Sequence, residues 1–283
     1  MGVACQRWSP GRAQSWRWAR DGGFDASRYG AAVITEATAK PWLLERHYSG
    51  TFPAARLQIG MFDLAAPGRP LVGAAVLSVP ASERVLTSVF PTLAPYRESL
   101  ELGRFCLEEC VPGNGETWFL AEVFRLAAHA GIRGVVSFSD PLPRTSADGA
   151  ITFIGHLGII YQAKGAQYLG TGTPRTLILL PNGTTFNART QQKIRAGERG
   201  HEAAVLKLVH AGARPPHAGE PPAAWLKQAL ADVGRTVRHP GCHKYAFRLG
   251  VTRRDRARVV IVPRSRPYPK WPGGIPPSAR DAA

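Results

Sequence analysis

Residues 98–140 constrain the fold of this chain more than any other stretch. In "ESLELGRFCLEE" (98–109), Leu100, Leu102, Phe105 and Leu107 alternate with polar residues, which is the period of a strand. "CVPGNGETWFLAEVFRLAAHAG" (110–131) is a glycine-rich turn leading into an amphipathic helix. That helix carries Phe119, Leu120, Val123, Phe124, Leu126 and Ala127 and stops at Gly131. "GVVSFSD" (134–140) is a buried-type strand with a polar end. A β–α–β unit needs a sheet around it, and the flanking sequence supplies one. "AAVITEA" (31–37) passes from a short strand into a helix, and "ARLQIGMFDL" (55–64) and "PLVGAAVLSVP" (70–80) form a hairpin about the turn 66–69. A short helix, "HLGIIYQAKGA" (156–166), and strands at 167–172 and 175–181 follow. A meander joined to a β–α–β unit predicts an α/β fold with a mixed, mostly antiparallel sheet and helices on both faces.

Composition divides the rest. Residues 1–30 are polar, contain Gly and Arg, and read as a poorly ordered tail before a core over 31–181. Residues 182–235 read as a basic helical insertion, with helices over 190–212 and 221–234. Residues 236–283 read as a C-terminal extension: a β-like segment, then a basic Pro-rich tail. The formal net charge is +16; residues 1–182 hold 17 Lys/Arg against 14 Asp/Glu, and residues 183–283 hold 19 against 6. A near-neutral module joined to a basic half points to a polyanion partner, the plainer alternative being a solvated basic surface. No run of 18 apolar residues occurs, so no membrane span is expected. Cys5, Cys106, Cys110 and Cys242 lack metal-ligand spacing, Cys106 and Cys110 read as core thiols, and a reducing, cytoplasmic compartment fits.

The element order over 31–181 resembles the GNAT acyltransferase fold, whose last helix ends much as "IIYQAKGA" does. More specific is an ordered set of motifs: "RHYSGTFP" (46–53), "LELGRF" (100–105), "VSFSDP" (136–141), "GHLGIIYQA" (155–163), "HPGCHKYAF" (239–247) and "PYPK" (267–270). Together they resemble the Mom family of bacteriophage DNA-modification proteins. Membership would imply transfer of a carbamoylmethyl-like group to the N6 of adenine in double-stranded DNA, in the host cytoplasm, protecting phage DNA from restriction. The fold resemblance implies acetyl-CoA or a related acyl donor. Two other readings stand beside it: an acyltransferase acting on a protein or small amine, and a catalytically inactive DNA-binding relative.

In a GNAT-like sheet the cofactor lies where strands 98–109 and 134–140 diverge, and Gly113, Asn114 and Gly115 would cradle its pyrophosphate at the helix start. The usual acyl-CoA pattern, Arg/Gln-x-x-Gly-x-Gly/Ala, is not met, and Glu108 and Glu109 stand close by; Asn114 matches the Mom-like loop. A simple capping turn is the alternative. Asp140 closes a strand at its carboxyl end, where open α/β sheets bind ligands; a turn cap is the alternative, and the family resemblance favours a role with Ser139 in orienting or deprotonating an exocyclic amine. Arg104, a charge within a strand, must pair with Glu101, Glu108 or Asp140 or face a ligand, and the family match favours the ligand. Tyr161, with His156 five residues before it, suits proton donation to a leaving group, and Gln162 belongs to the same motif as a substrate contact. His47, Tyr48 and Ser49 leave the first helix as candidates for gripping the acceptor base. Proton transfer is open among His47, Tyr161 and Asp140. His47, His156 and Asp140 would suit a non-haem iron, but their spacing gives this no support, and no metal ligand is assigned. Lys193, Arg195 and Arg199 recur on one helical region, and Lys270 ends a second basic run beside Tyr268 and Trp271; both are candidate DNA contacts.

Overall fold

A computed structural model describes residues 4–271. In chain order the elements are β1 (Ala4–Ser9), β2 (Ala13–Trp18), β3 (Tyr29–Val33), α1 (Glu36–Arg46), β4 (Ala55–Asp63), β5 (Leu71–Ser78), α2 (Arg84–Thr87), β6 (Ser99–Leu107), α3 (Gly115–His129), β7 (Gly134–Ser139), β8 (Arg144–Thr145), β9 (Ile151–Phe153), α4 (Ile159–Ala163), β10 (Gln167–Thr171), β11 (Arg175–Leu179), α5 (Ala188–Ala196), α6 (His201–His210), α7 (Pro222–Val233), β12 (Arg235–His239), β13 (His243–Arg248) and α8 (Arg253–Ala257). They fall into two units. One comprises the chain up to Ser139, Leu157–Gly170 and the chain from His243 onward; the other comprises Asp140–His156 and Thr171–Cys242.

The first unit is built on a seven-stranded sheet in the order β10-β13-β7-β6-β5-β4-β3. Strands β6 and β7 pair in parallel, Ser99–Leu102 against Gly134–Ser137, as the β–α–β unit requires, and the neighbouring pairs are antiparallel. Alternation along the strands fills both faces. Leu100, Leu102 and Val135 pack under Phe119, Leu120 and Val123 of α3; on the other face Val136 and Ala246 meet Leu86 of α2, and Ala74 and Val76 meet Trp42 and Leu43 of α1. Each fully buried Val, Leu or Phe among these contributes about 1.5–3 kcal/mol. This is the mixed, mostly antiparallel α/β fold that the strand and helix periods predict.

Three expectations give way. Residues 1–30 hold a hairpin, β1 with β2, rather than a disordered tail; Trp8 is buried beside Trp42, and Arg7 is wholly buried. The C-terminal segment is no appendage, because β13 lies between β7 and β10 inside the main sheet. Cys106 is a core thiol, but Cys110 is exposed. Residues 1–3 and 272–283 of the two expected tails lie outside the described residues.

The second unit is wider than the expected 182–235 insertion. It packs α5, α6 and α7 around Phe186, Ile194, Leu208 and Trp225, with the antiparallel ribbon β11–β12. The single helix expected over 190–212 is two, because Gly197 takes a left-handed conformation (φ 59°) and ends α5. No helix among the described residues is long and apolar enough to cross a membrane.

Candidate active site

The candidate site of the first unit lies where two strands of the sheet part. Pairing between β6 and β7 stops at Leu102 and Ser137, while β6 runs on to Leu107. At this divergence stand Tyr161 from α4 and Tyr245 from β13, with ring centroids 5.4 Å apart. Tyr245 donates to the Leu157 carbonyl and accepts from Gln162 Nε2 at 3.2 Å, and Gln162 also donates to the Leu157 and Pro269 carbonyls. The hydroxyls of Ser137 and Ser139, both buried, lie beside these phenols without a hydrogen bond of normal geometry. Burial pushes both phenols up, and the adjacent Ser137 hydroxyl works against this at Tyr161. Gly158 makes the arrangement feasible: at φ +68° a Cβ there would lie 2.7 Å from the Tyr161 ring and 2.9 Å from that of Tyr245.

Glu101, on β6 opposite Val136, was expected only as a partner for Arg104. Burial raises its carboxyl above the ordinary value, and the positive charges of Arg104 and Lys244 offset this in part. Arg104 donates through Nε to the Thr51 carbonyl at 3.0 Å and through Nη2 to Thr51 Oγ1 at 2.6 Å. None of its hydrogen bonds among the described residues reaches a carboxylate, so its partner is the segment after α1. From there a chain runs inward. Thr51 Oγ1 donates to Ser49 Oγ at 3.4 Å, and Ser49 Oγ lies 2.9 Å from His47 Nδ1. The Ser49 backbone N–H also donates to Nδ1, at 3.2 Å, so Nδ1 accepts and neutral His47 carries its proton on Nε2. Tyr48 packs on the His47 ring at 4.3 Å, and burial pushes the Arg104 guanidinium down from its ordinary value. His47, Tyr48, Ser49 and Arg104 thus form one cluster, while Tyr161, Gln162 and Ser139 form another around Tyr245.

The expected pyrophosphate cradle is flanked by paired charges of the protein's own. Asn114 is left-handed (φ 74°) and the first turn of α3 carries Glu116, which is buried. Arg7 is paired with Glu116 and donates to the Val111 carbonyl at 2.9 Å and the Pro112 carbonyl at 2.7 Å. Glu108 pairs with Arg46, and Glu109 with Arg17. Glu116, neutralised by Arg7, stands at the helix start where Gly113, Asn114 and Gly115 would meet a pyrophosphate.

In the second unit Asp140 is a hub. Its carboxylate accepts from the Leu142 N–H at 3.0 Å and from His239 Nε2 at 2.9 Å, and it pairs with Arg144. The His156 N–H donates to the Asp140 carbonyl at 2.7 Å, and the His156 ring packs edge-on against Phe153. Asp140, His239 and Cys242 hold a carboxylate, an imidazole and a thiol within 4.8 Å of one another. The donor pattern does not suit a metal. Gly241 N–H donates to His239 Nδ1, so Nε2 bears the proton shared with Asp140, whereas a metal-bound Nε2 needs its proton on Nδ1 facing an acceptor. Arg175 also donates to Cys242 Sγ. Of the residues named for iron, His156 and Asp140 belong to the second unit and His47 to the first. Lys193 and Arg195 lie on α5, but Arg199 sits in the turn before α6, so the three do not share one helix; Arg195 and Lys270 are exposed.

Sequence patterning missed Tyr245 and His239, although both lie in "HPGCHKYAF", because their roles depend on partners far along the chain. Arg7 carried no local signal at all.

A model of the Mom protein family matches residues 28–270. No curated protein matches the chain. Among solved structures, a tandem GNAT protein from the clavulanic acid biosynthesis pathway is similar at 12% identity and a TM-score of 0.40, covering 79% of this chain and 99% of that one. A ribosomal-protein-S5-alanine acetyltransferase from Vibrio fischeri is similar at 10% identity and a TM-score of 0.33, covering 57% and 90%. These overlaps are loose. The family match is not: it takes in both clusters of the first unit and the Asp140 hub of the second, and the chain belongs to the Mom protein family.

Proposed function

We propose that this chain is a DNA-modifying transferase that adds an acyl-derived, carbamoylmethyl-like group to the N6 of adenine, shielding phage or mobile-element DNA from restriction. The family match over 28–270 carries this reading, and the buried phenol at the β6–β7 divergence supports it. As the N6 nitrogen bonds to the donor carbon it must lose a proton, and as the donor's leaving atom departs it must gain one. Glu101, raised by burial, is the acceptor for the first. Tyr161, held protonated by burial, is the donor for the second. The His47–Ser49–Thr51–Arg104 chain fixes the segment after α1 that would meet a base turned out of the duplex. Asp140 holds the start of the second unit through Arg144 and His239. Acetyl-CoA or a related acyl donor is the donor class. Mass spectrometry of nucleosides from a plasmid coexpressed with the chain tests the reading. A modified deoxyadenosine supports it; acylation of proteins with deoxyadenosine unchanged would favour a protein acyltransferase.

A further inference from the structure

A second feature of the first unit lies at the other end of β7. Along the β13–β7 pair His243 faces Ser139 near the candidate site, while Arg248 faces Gly134. β7 is six residues long, so its two ends are about 17 Å apart. At the Gly134 end is a groove of about 870 Å³. Its cations come from four elements or their ends: Arg125 of α3, Lys164 after α4, Arg248 of β13, and Arg253 and Arg256 of α8. Tyr268 also lines it. The nearby carboxylates, Glu122 and Asp255, are not among its lining residues; Glu122 pairs with Arg125 and Asp255 caps α8. Lys164, Arg253 and Arg256 make no ion pair or side-chain hydrogen bond among the described residues. The ammonium of Lys164 is pushed down by burial and by repulsion from Arg256.

Among the described residues only Arg125 of these cations is paired with a carboxylate, so the groove gathers positive charge from separate elements and presents it to an anion. We infer that this groove binds the phosphodiester backbone of duplex DNA flanking the base presented to the active site. This rests on the DNA-directed function proposed above. Phosphate contacts of this kind position a duplex without reading its sequence, and each one released costs salt sensitivity.

The test is the salt dependence of duplex binding by the full chain. Arg253→Ala combined with Arg256→Ala should lower the slope of log affinity against log salt by about two, and Lys164→Gln by about one, equally for unrelated duplex sequences. Arg69→Ala, in the β4–β5 turn, should leave the slope unchanged. Poly-glutamate, a polyanion without phosphate, should show a much smaller loss with the same variants. Unchanged slopes in folded groove variants of a chain that binds duplex would overturn the groove alone. An equal fall with Arg69→Ala, or an equal loss for poly-glutamate, would overturn the phosphodiester assignment. Absence of duplex binding by the parent chain would overturn both this inference and the function it rests on.

Discussion

Burial pushes the Tyr161 phenol and the Glu101 carboxyl in the same direction, up from their ordinary values, with opposite consequences for chemistry. The phenol is kept as a proton donor, and the carboxylate becomes a stronger base. The stability sign follows. A carboxyl raised by folding contributes stability that is complete below its ordinary value of 4.5 and is lost as the pH rises through the folded value. Glu101→Gln should therefore leave thermal stability unchanged or higher at pH 7, with no gain at pH 4, while DNA modification falls about 10²-fold or more. A melting temperature that drops at pH 7 would mark Glu101 as a structural ion partner instead. Asp140 is the contrasting case. Its oxygens are committed to Arg144, His239 and the Leu142 N–H, so Asp140→Ala should cost about 3 kcal/mol as the partners lose their acceptor. Thermal unfolding should show the loss directly. An Asp140→Ala protein as stable as the parent but inactive would place Asp140 in the chemistry.

At the scale of elements, the N-terminal hairpin is what the sequence concealed. The strand and helix periods over 31–181 reveal β3 to β7, α1, α3, α4, β10 and β11 but not α2, β8 or β9, and Arg7 is buried only because Glu116, 109 residues away, meets it. Nothing local in a polar segment rich in Arg and Trp announces such a partner. Asp140 and His239, 99 residues apart, were hidden for the same reason. The "ERHYSGTFP" exit of α1 was more legible, because consecutive polar residues at a helix end need partners and Arg104 was a charge in a strand lacking one. Arg7→Met should leave Glu116 buried and unpaired, at a cost of about 3–5 kcal/mol, and adding Glu116→Gln should recover much of it. Denaturant unfolding of the three variants checks this. A single variant as stable as the parent would show that the pair does not hold the hairpin over α3.

For the whole molecule, the charge asymmetry between halves was visible in composition, but its distribution was not. By composition, a cut near residue 182 separates a near-neutral core from a basic extension. It would in fact remove β13 from between β7 and β10, so the basic residues have to be tested by point substitution. The groove cations come from elements as far apart in the chain as α3 and α8, which is why no single run of sequence displayed them. The central claim is that the buried phenol at the β6–β7 divergence drives modification of adenine in DNA. Tyr161→Phe keeps the ring beside Tyr245 and should unfold within about 1 kcal/mol of the parent. Nucleoside mass spectrometry of plasmid DNA coexpressed with each protein tests the claim most directly. The account predicts an N6-substituted deoxyadenosine with the parent and a loss of about 10²–10⁴-fold with Tyr161→Phe. Unaltered deoxyadenosine with the folded parent, or equal modification by the two proteins, would contradict it.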